Sequence, residues 1–237
     1  MRLFAAIVPP RAVLEEVLEV VQGVRPVQAQ EQKRGLRARF GGQGQTTQQV
    51  DNDELTIAHL AQMYVPLTGF GNVTLGDSVQ LSKALRTEAQ TWERPTVRLA
   101  GGTALEFRGD ESVWAKITGD LDALGTIGRG VPQVVQRLGF FVDRRQFRPW
   151  ISVGTITETT TAPFLQTVVD ALEGFEGQTW TIESISLMKR QPEEGPHAIE
   201  EMEEMPLSRW RHRRVRPAGV RRTPARPAPT AASGSPG

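Results

Sequence analysis

The stretch Phe147–Val153 (F-R-P-W-I-S-V) combines a loop that ends in proline with the beginning of a β-strand. Pro149 disfavours a helical conformation at Arg148, and the β-branched residues that follow favour a strand from Trp150 onward. Earlier in the chain, Glu54–Leu60 (E-L-T-I-A-H-L) shows the same order, with an aliphatic second residue, a hydroxyl third residue and an aliphatic fourth residue. The two segments are therefore predicted to be strands with matching faces.

Alternation along a strand places its first and third residues on one face. Glu54 and Thr56 would then share a face of the first strand, and Trp150 and Ser152 would share a face of the second. We expect these four side chains to converge on one central cleft. Thr56 and Ser152 are candidates for contacts with phosphate oxygens, although hydroxyl residues are also common in strands for structural reasons alone.

This paired pattern resembles the 2H phosphoesterases, specifically the bacterial RNA 2',3'-cyclic phosphodiesterases, historically called 2'-5' RNA ligases. In that family H-x-T/S-x occurs twice, and the second copy follows F-R-P. Here F-R-P is intact, but Glu54 and Trp150 occupy the two histidine positions. Weaker matches follow in order over residues 1–207, beginning with M-R-L-F-A-A-I-V-P-P. The resemblance implies an α+β fold of two pseudo-symmetric lobes, with antiparallel sheets flanking a central cleft and helices outside.

Opening a cyclic phosphate requires a base that activates water and an acid that protonates the leaving ribose oxygen, and two histidines suit both roles at neutral pH. Tryptophan cannot transfer a proton in this way. Glu54 could act as a base, but its negative charge repels a phosphate. We therefore expect a degenerate, catalytically inactive relative that retains weak binding of RNA ends or nucleotides. A slow or altered phosphodiesterase that uses Glu54 is the alternative.

Trp150 has two interpretations. It could stack on a base of single-stranded RNA, or it could fill the space of the missing histidine and close the cleft. The second interpretation is favoured, because the sequence indicates no cation beside the ring and no arginine near Thr155 at the end of the strand. His59 is expected on the opposite strand face, packed or hydrogen-bonded on the helix side.

The charge of the chain is unevenly distributed. Of the 28 Lys and Arg residues eight lie after Leu207, whereas all 27 Asp and Glu residues lie in 1–207, so the body carries −7 and the tail +8. We expect a 2H phosphoesterase-like domain over 1–207 and a disordered Arg/Pro-rich tail over 208–237. The tail is predicted to contact nucleic acid, and its candidate residues are Arg209, Arg211, Arg213, Arg214, Arg216, Arg221 and Arg222. A solubilising tail and an RNA-binding or interaction protein that acts through this segment are the alternatives.

Several functional classes receive no support from the 237 residues. Cysteine is absent, so neither disulfides nor cysteine metal sites are expected. No histidine cluster has metal-ligand spacing, and no phosphate-binding glycine loop is present, so no metal or cofactor is predicted. No apolar run is long enough to span a membrane. A cytoplasmic monomer that binds RNA or nucleotides with a terminal phosphate is the resulting expectation.

Glycine and proline guide the remaining assignments. Residues 27–53 are predicted to be a long flexible loop, and Pro66–Gly76 is predicted to be a loop after the first motif strand. Asp120–Ile127 and Val131–Leu138 are predicted to be separate helices, because Gly128 lies between them.

Overall fold

The computed structural model describes residues 1–24, 55–107, 110–140, 142, 146–195 and 198–209. Glu54, the predicted loop at 27–53, His197 and the tail from residue 210 onward lie outside these ranges. In the described part of the chain the elements follow in this order: β1 (Arg2–Ile7), α1 (Arg11–Gly23), β2 (Leu55–Ile57), β3 (Val65–Asn72), α2 (Leu75–Ala89), β4 (Thr96–Phe107), β5 (Asp110–Gly119), α3 (Leu121–Arg137), β6 (Trp150–Ile156), α4 (Ala162–Glu173), β7 (Trp180–Thr181), β8 (Ser184–Arg190) and β9 (Ile199–Pro206).

The strands form two antiparallel sheets. A four-stranded sheet has the order β3-β1-β8-β9, and a five-stranded sheet has the order β2-β6-β5-β4-β7. Alternate residues of β1 illustrate how each sheet is used. Leu3, Ala5 and Ile7 belong to the large core shared with the helices, whereas Phe4 and Ala6 belong to a smaller cluster on the other face. The sheets therefore present one face to the helices and keep the other for a cleft.

The strand order shows an internal pseudo-twofold symmetry. The succession strand, helix, strand, helix, strand occurs first as β1-α1-β3-α2-β4 and again as β5-α3-β6-α4-β8. In the sheets, β3-β1-β8 corresponds to β6-β5-β4, so each triplet takes its third strand from the other half of the chain. The predicted two-lobed α+β fold, with antiparallel sheets about a central cleft, is confirmed.

Two assignments made from glycine and proline are wrong. The predicted loop after the first motif contains strand β3, in which Pro66 is tolerated because β3 lies at a sheet edge. Helix α3 runs without a break through Gly128. A Cβ atom at Gly128 would lie 2.3 Å from the ring of Phe147. This glycine therefore allows a close contact between α3 and the F-R-P loop and does not end a helix.

The first motif strand is shorter than predicted. It ends at Ile57, and His59 then precedes a single 3-10 turn over Leu60–Gln62. The Nδ1 atom of His59 accepts a hydrogen bond from the backbone N–H of Ala61 at 3.2 Å. His59 is thus hydrogen-bonded, but its side chain is exposed and not packed against the helices.

Candidate functional site

A cleft of about 1130 Å³ opens between the two sheets. One wall is formed by β1, β3 and β8, and the other by β5, β6 and the F-R-P loop. Because β-strand side chains alternate, Phe4 on β1 and Trp150 and Ser152 on β6 line these walls on the opposite face from the core residues beside them. We refer to them as the first-lobe wall, which includes Arg2, Phe4, Tyr64 and Arg190, and the second-lobe wall, which includes Trp114, Arg148, Trp150 and Ser152.

The second-lobe wall carries two tryptophans. Trp150 begins β6, and its ring centroid lies 6.4 Å from that of Trp114 on the neighbouring β5. The guanidinium carbon of Arg148 lies 5.0 Å from the Trp150 ring centroid, within the range of a cation–π contact. The expectation that Trp150 has no cation beside it is therefore wrong. The backbone N–H of Trp150 donates to the carbonyl oxygen of Arg148 at 2.9 Å, and this turn around Pro149 brings Arg148 back over the ring.

The first-lobe wall has a similar arrangement of rings and charge. The rings of Phe4 and Tyr64 lie 5.1 Å apart between centroids, and the guanidinium carbon of Arg190 lies 5.0 Å from the Phe4 centroid. An Nη2–H of Arg190 also donates to the Tyr64 hydroxyl oxygen at 3.2 Å. Burial raises the pKa of Tyr64 and outweighs the opposing effect of Arg190. The phenol is therefore neutral at physiological pH.

Two matching β-bulges show which residues correspond in the two lobes. Between β1 and β3 the register passes from Ala6–Pro66 to Ala5–Thr68 and leaves one extra residue on β3. Between β5 and β6 it passes from Trp114–Ser152 to Val113–Gly154 and likewise leaves one extra residue on β6. Bulges are specific structural features of a strand. A second register shift between β1 and β3, at Leu3/Phe4, would equate Trp150 with Leu67, which belongs to the core shared with the helices, so the shift at Ala5/Ala6 provides the alignment.

This alignment equates Pro66 with Ser152, and two residues earlier it equates Tyr64 with Trp150. The strand that corresponds to β6 is thus β3 and not β2, which was predicted to carry the first motif. The last three residues of the pattern E-L-T-I form β2 instead. This edge strand pairs with β6 itself, and Thr56 lies opposite Thr155. Trp150, Ser152 and Thr155 line the cleft. Thr56 is exposed on the neighbouring strand, and Glu54 lies outside the described residues.

The cleft is lined by cations that the sequence analysis did not identify as site residues. Arg2, Arg148 and Arg190 line it, together with the acids Asp110 and Glu111. Arg148 has a long contact with Asp110, 3.8 Å between Nη1 and Oδ2. Strand alternation could have identified Arg2 from the sequence, because Arg2 and Phe4 lie two residues apart and share a face of β1. The position of Arg190 beside them depends on a pairing between the two ends of the chain.

Trp150 and Tyr64 supply aromatic surface to the cleft and no acid–base pair. Neither tryptophan nor a neutral phenol with a raised pKa is a general base near neutral pH. Within the described ranges, no group of three or more His, Asp or Glu residues could hold a metal ion, and no helix is long and apolar enough to cross a membrane. The candidate arginines at 211, 213, 214, 216, 221 and 222 lie outside those ranges, and Arg209 is exposed at their edge.

Comparison with solved structures shows the same fold in several proteins. TT0787 of Thermus thermophilus is similar with a TM-score of 0.58 and 19% identity, over 88% of this chain and 99% of its own. E. coli LigT complexed with 3'-AMP is similar with a TM-score of 0.56 and 16% identity, over 88% of this chain and 98% of its own. A crystal structure of a phosphoesterase gives a TM-score of 0.55 at 16% identity, covering 88% and 99% of the two chains.

At the level of sequence, no protein-family model and no curated protein matches this chain. The structural similarity is nevertheless spread over almost the whole length of each neighbour. The chain therefore has the fold of the 2H phosphoesterases, as the F-R-P stretch indicated.

Proposed function

We propose that this chain is a non-hydrolytic member of the 2H phosphoesterase fold that binds nucleotides or phosphorylated RNA ends in its cleft. The observation that carries the proposal is the pair of corresponding positions Tyr64 and Trp150, each with an aromatic neighbour and an arginine. The equivalent positions in the family carry histidines. Aromatic rings beside guanidinium groups provide stacking surfaces and positive charge but no acid–base pair. E. coli LigT, which shares the fold, has been solved with 3'-AMP and with phosphate.

The first test separates binding from hydrolysis. The purified chain should bind adenosine 3'-monophosphate in isothermal titration calorimetry and should not hydrolyse nucleoside 2',3'-cyclic phosphates faster than a buffer control. Each missing acid–base partner is expected to lower the rate by roughly 10²–10⁴.

The alternative is a slow phosphodiesterase that uses Glu54. Clear wild-type turnover that disappears in Glu54→Gln would contradict the proposed function and support this enzyme. The matched control is Glu158→Gln, because Glu158 is an exposed acid just after β6 that does not line the cleft. It should leave any turnover unchanged.

A second binding site is proposed in the tail, on the basis of its eight arginines and absence of acids. A chain segment of this composition binds phosphates through charge and is insensitive to base sequence. Tail binding and cleft binding are separable by salt, because stacking in the cleft depends on salt less than contacts between exposed arginines and phosphates do.

A further inference from the structure

Two arginines face each other at the open edge of the first-lobe wall. Arg2 and Arg190 are directly opposite in the antiparallel pairing of β1 with β8, and both are exposed and line the cleft. Neither guanidinium forms a salt bridge with any described residue. Like charges directly opposite each other destabilise a sheet, so this pair costs stability as long as no anion lies between them.

The Tyr64 hydroxyl adds a third polar group on the same wall. Its oxygen already accepts a hydrogen bond from Arg190, so its own proton is available for another acceptor. The phenol is neutral for the reason given above and therefore keeps that proton at physiological pH. Arg190 thus links the two other groups, because it is paired with Arg2 across the strands and hydrogen-bonded to Tyr64, and all three residues line the cleft.

The second-lobe wall differs in charge from the first. Its arginine, Arg148, lies over the Trp150 ring and has Asp110 at 3.8 Å, so part of its charge is compensated. The Nε1–H of Trp114 is buried and has no hydrogen-bond partner among the described residues. This wall therefore offers aromatic surface and a donor, whereas the first-lobe wall offers uncompensated positive charge.

We propose, building on the function proposed above, that Arg2, Arg190 and Tyr64 form a subsite for a terminal phosphomonoester, with the base of the same nucleotide against Trp150. A phosphomonoester carries about −1.5 to −2 charges at pH 7, which match two guanidinium groups. A 2',3'-cyclic phosphate is a diester with a single charge and matches them less well. The ligand class is thus an RNA end or nucleotide that has already been opened to the monoester.

The experiment compares four probes on the full chain: adenosine 3'-monophosphate, adenosine 2',3'-cyclic monophosphate, adenosine and inorganic phosphate. Titration calorimetry measures the nucleotides, and phosphorus NMR line broadening measures inorganic phosphate. The variants are Arg2→Gln and Arg190→Gln, with Arg129→Gln as control, because Arg129 is an exposed arginine of α3 away from the cleft.

We expect the monophosphate to bind about tenfold more tightly than the cyclic phosphate, because about one additional charge-assisted hydrogen bond is formed. Arg2→Gln and Arg190→Gln should each remove about that factor for the monophosphate and leave adenosine unchanged. Arg129→Gln should change neither the affinity for the monophosphate nor the affinity for adenosine. Addition of phosphate should raise the Tm of the wild type more than the Tm of Arg2→Gln. Without phosphate, Arg2→Gln should not have a lower Tm than the wild type, because the substitution relieves the like-charge contact.

The outcomes distinguish this inference from the proposed function. Nucleotide binding that is unaffected by both substitutions would overturn the subsite and leave the proposed function intact. Binding of inorganic phosphate that is lost in both variants, without any nucleotide binding, would leave only an anion site at Arg2 and Arg190 and would overturn both the phosphomonoester subsite and the proposed function. Absence of binding for every probe would overturn both.

Discussion

Trp150 has both an aromatic ring and a guanidinium group as neighbours on the second-lobe wall. The ring lies next to Trp114 and beneath Arg148, an arrangement that leaves no proton to exchange but offers a planar, polarisable surface. Under the proposed function, this ring is a contact for a base in place of an acid–base group. The pseudo-twofold mate Tyr64 has a similar environment on the other wall, with Phe4 and Arg190 as its neighbours.

Trp150→Ala should weaken binding of adenosine 3'-monophosphate about tenfold or more in titration calorimetry, because stacking of a base on an aromatic side chain contributes roughly 1–3 kcal/mol. Trp150→Phe, the matched control, should retain most of the affinity. Unchanged affinity in Trp150→Ala would show that the tryptophan only fills space.

The residues of the second motif could be predicted, whereas those of the first could not. F-R-P precedes β6, and Trp150 and Ser152 fall in one continuous strand, so local pattern was sufficient. In the first half, four letters at Glu54–Ile57 match the motif better than Tyr64–Leu67 does. Only the pairing of β3 with β1 and the shared bulge show that Tyr64 occupies the corresponding place. Such a pairing joins distant parts of the chain and leaves no local signal.

At the scale of elements, helix α2 is joined to strand β9 by one carboxylate. Glu203 accepts hydrogen bonds from the Ser82 hydroxyl and from the Arg86 guanidinium. Burial of this carboxyl acts to raise its pKa, but the hydrogen bonds and the charge of Arg86 together lower it below the ordinary value of 4.5. Because the pKa is lower in the folded state, the stabilisation is complete above that value and is lost as the pH falls through the folded pKa.

Glu203→Gln should therefore lower the free energy of unfolding at pH 7 by about 1 kcal/mol. As the pH falls below 4.5, the variant should lose less stability than the wild type does. Urea denaturation at several pH values measures both effects. Glu204→Gln is the control, because Glu204 is an exposed acid on the same strand that contacts Ser184. Equal pH profiles for wild type and Glu203→Gln would contradict the assignment.

At this scale the elements were predictable where periodicity is regular, as in α1 and α4. They were misjudged where glycine or proline serves packing. Gly128 lies inside α3 because Phe147 leaves no room for a Cβ atom, and Pro66 lies inside β3 because that strand has only one partner. In both places the tertiary environment decides the role of a residue that would break an isolated element.

At the scale of the molecule, a body with a net charge of −7 precedes a tail with +8. The backbone N–H of Ser208 donates to the backbone carbonyl of Trp92 at 3.0 Å, and Leu207 is buried. The packed body therefore extends at least to Ser208, and a deletion that spares it must begin after Arg209.

Deletion of residues 210–237 should remove most sequence-independent RNA binding. Full-length chain should show affinity that falls steeply with salt, with a logarithmic slope of roughly −0.7 for each neutralised phosphate of single-stranded RNA. Fluorescence anisotropy over a salt series measures this slope, and Trp150→Ala in the full chain should alter it little. Equal RNA affinity in the two proteins would assign RNA binding to the cleft alone.

The exchange of strands between the two halves has a consequence for protein synthesis. Strand β1 is translated well before its partner β8, which spans Ser184–Arg190. Until that segment has been translated, one edge of β1 has no partner, and an unpaired strand edge is prone to association with other chains. The first lobe can thus be completed only after β8 has been translated, so β1 of the nascent chain depends on protection until that point.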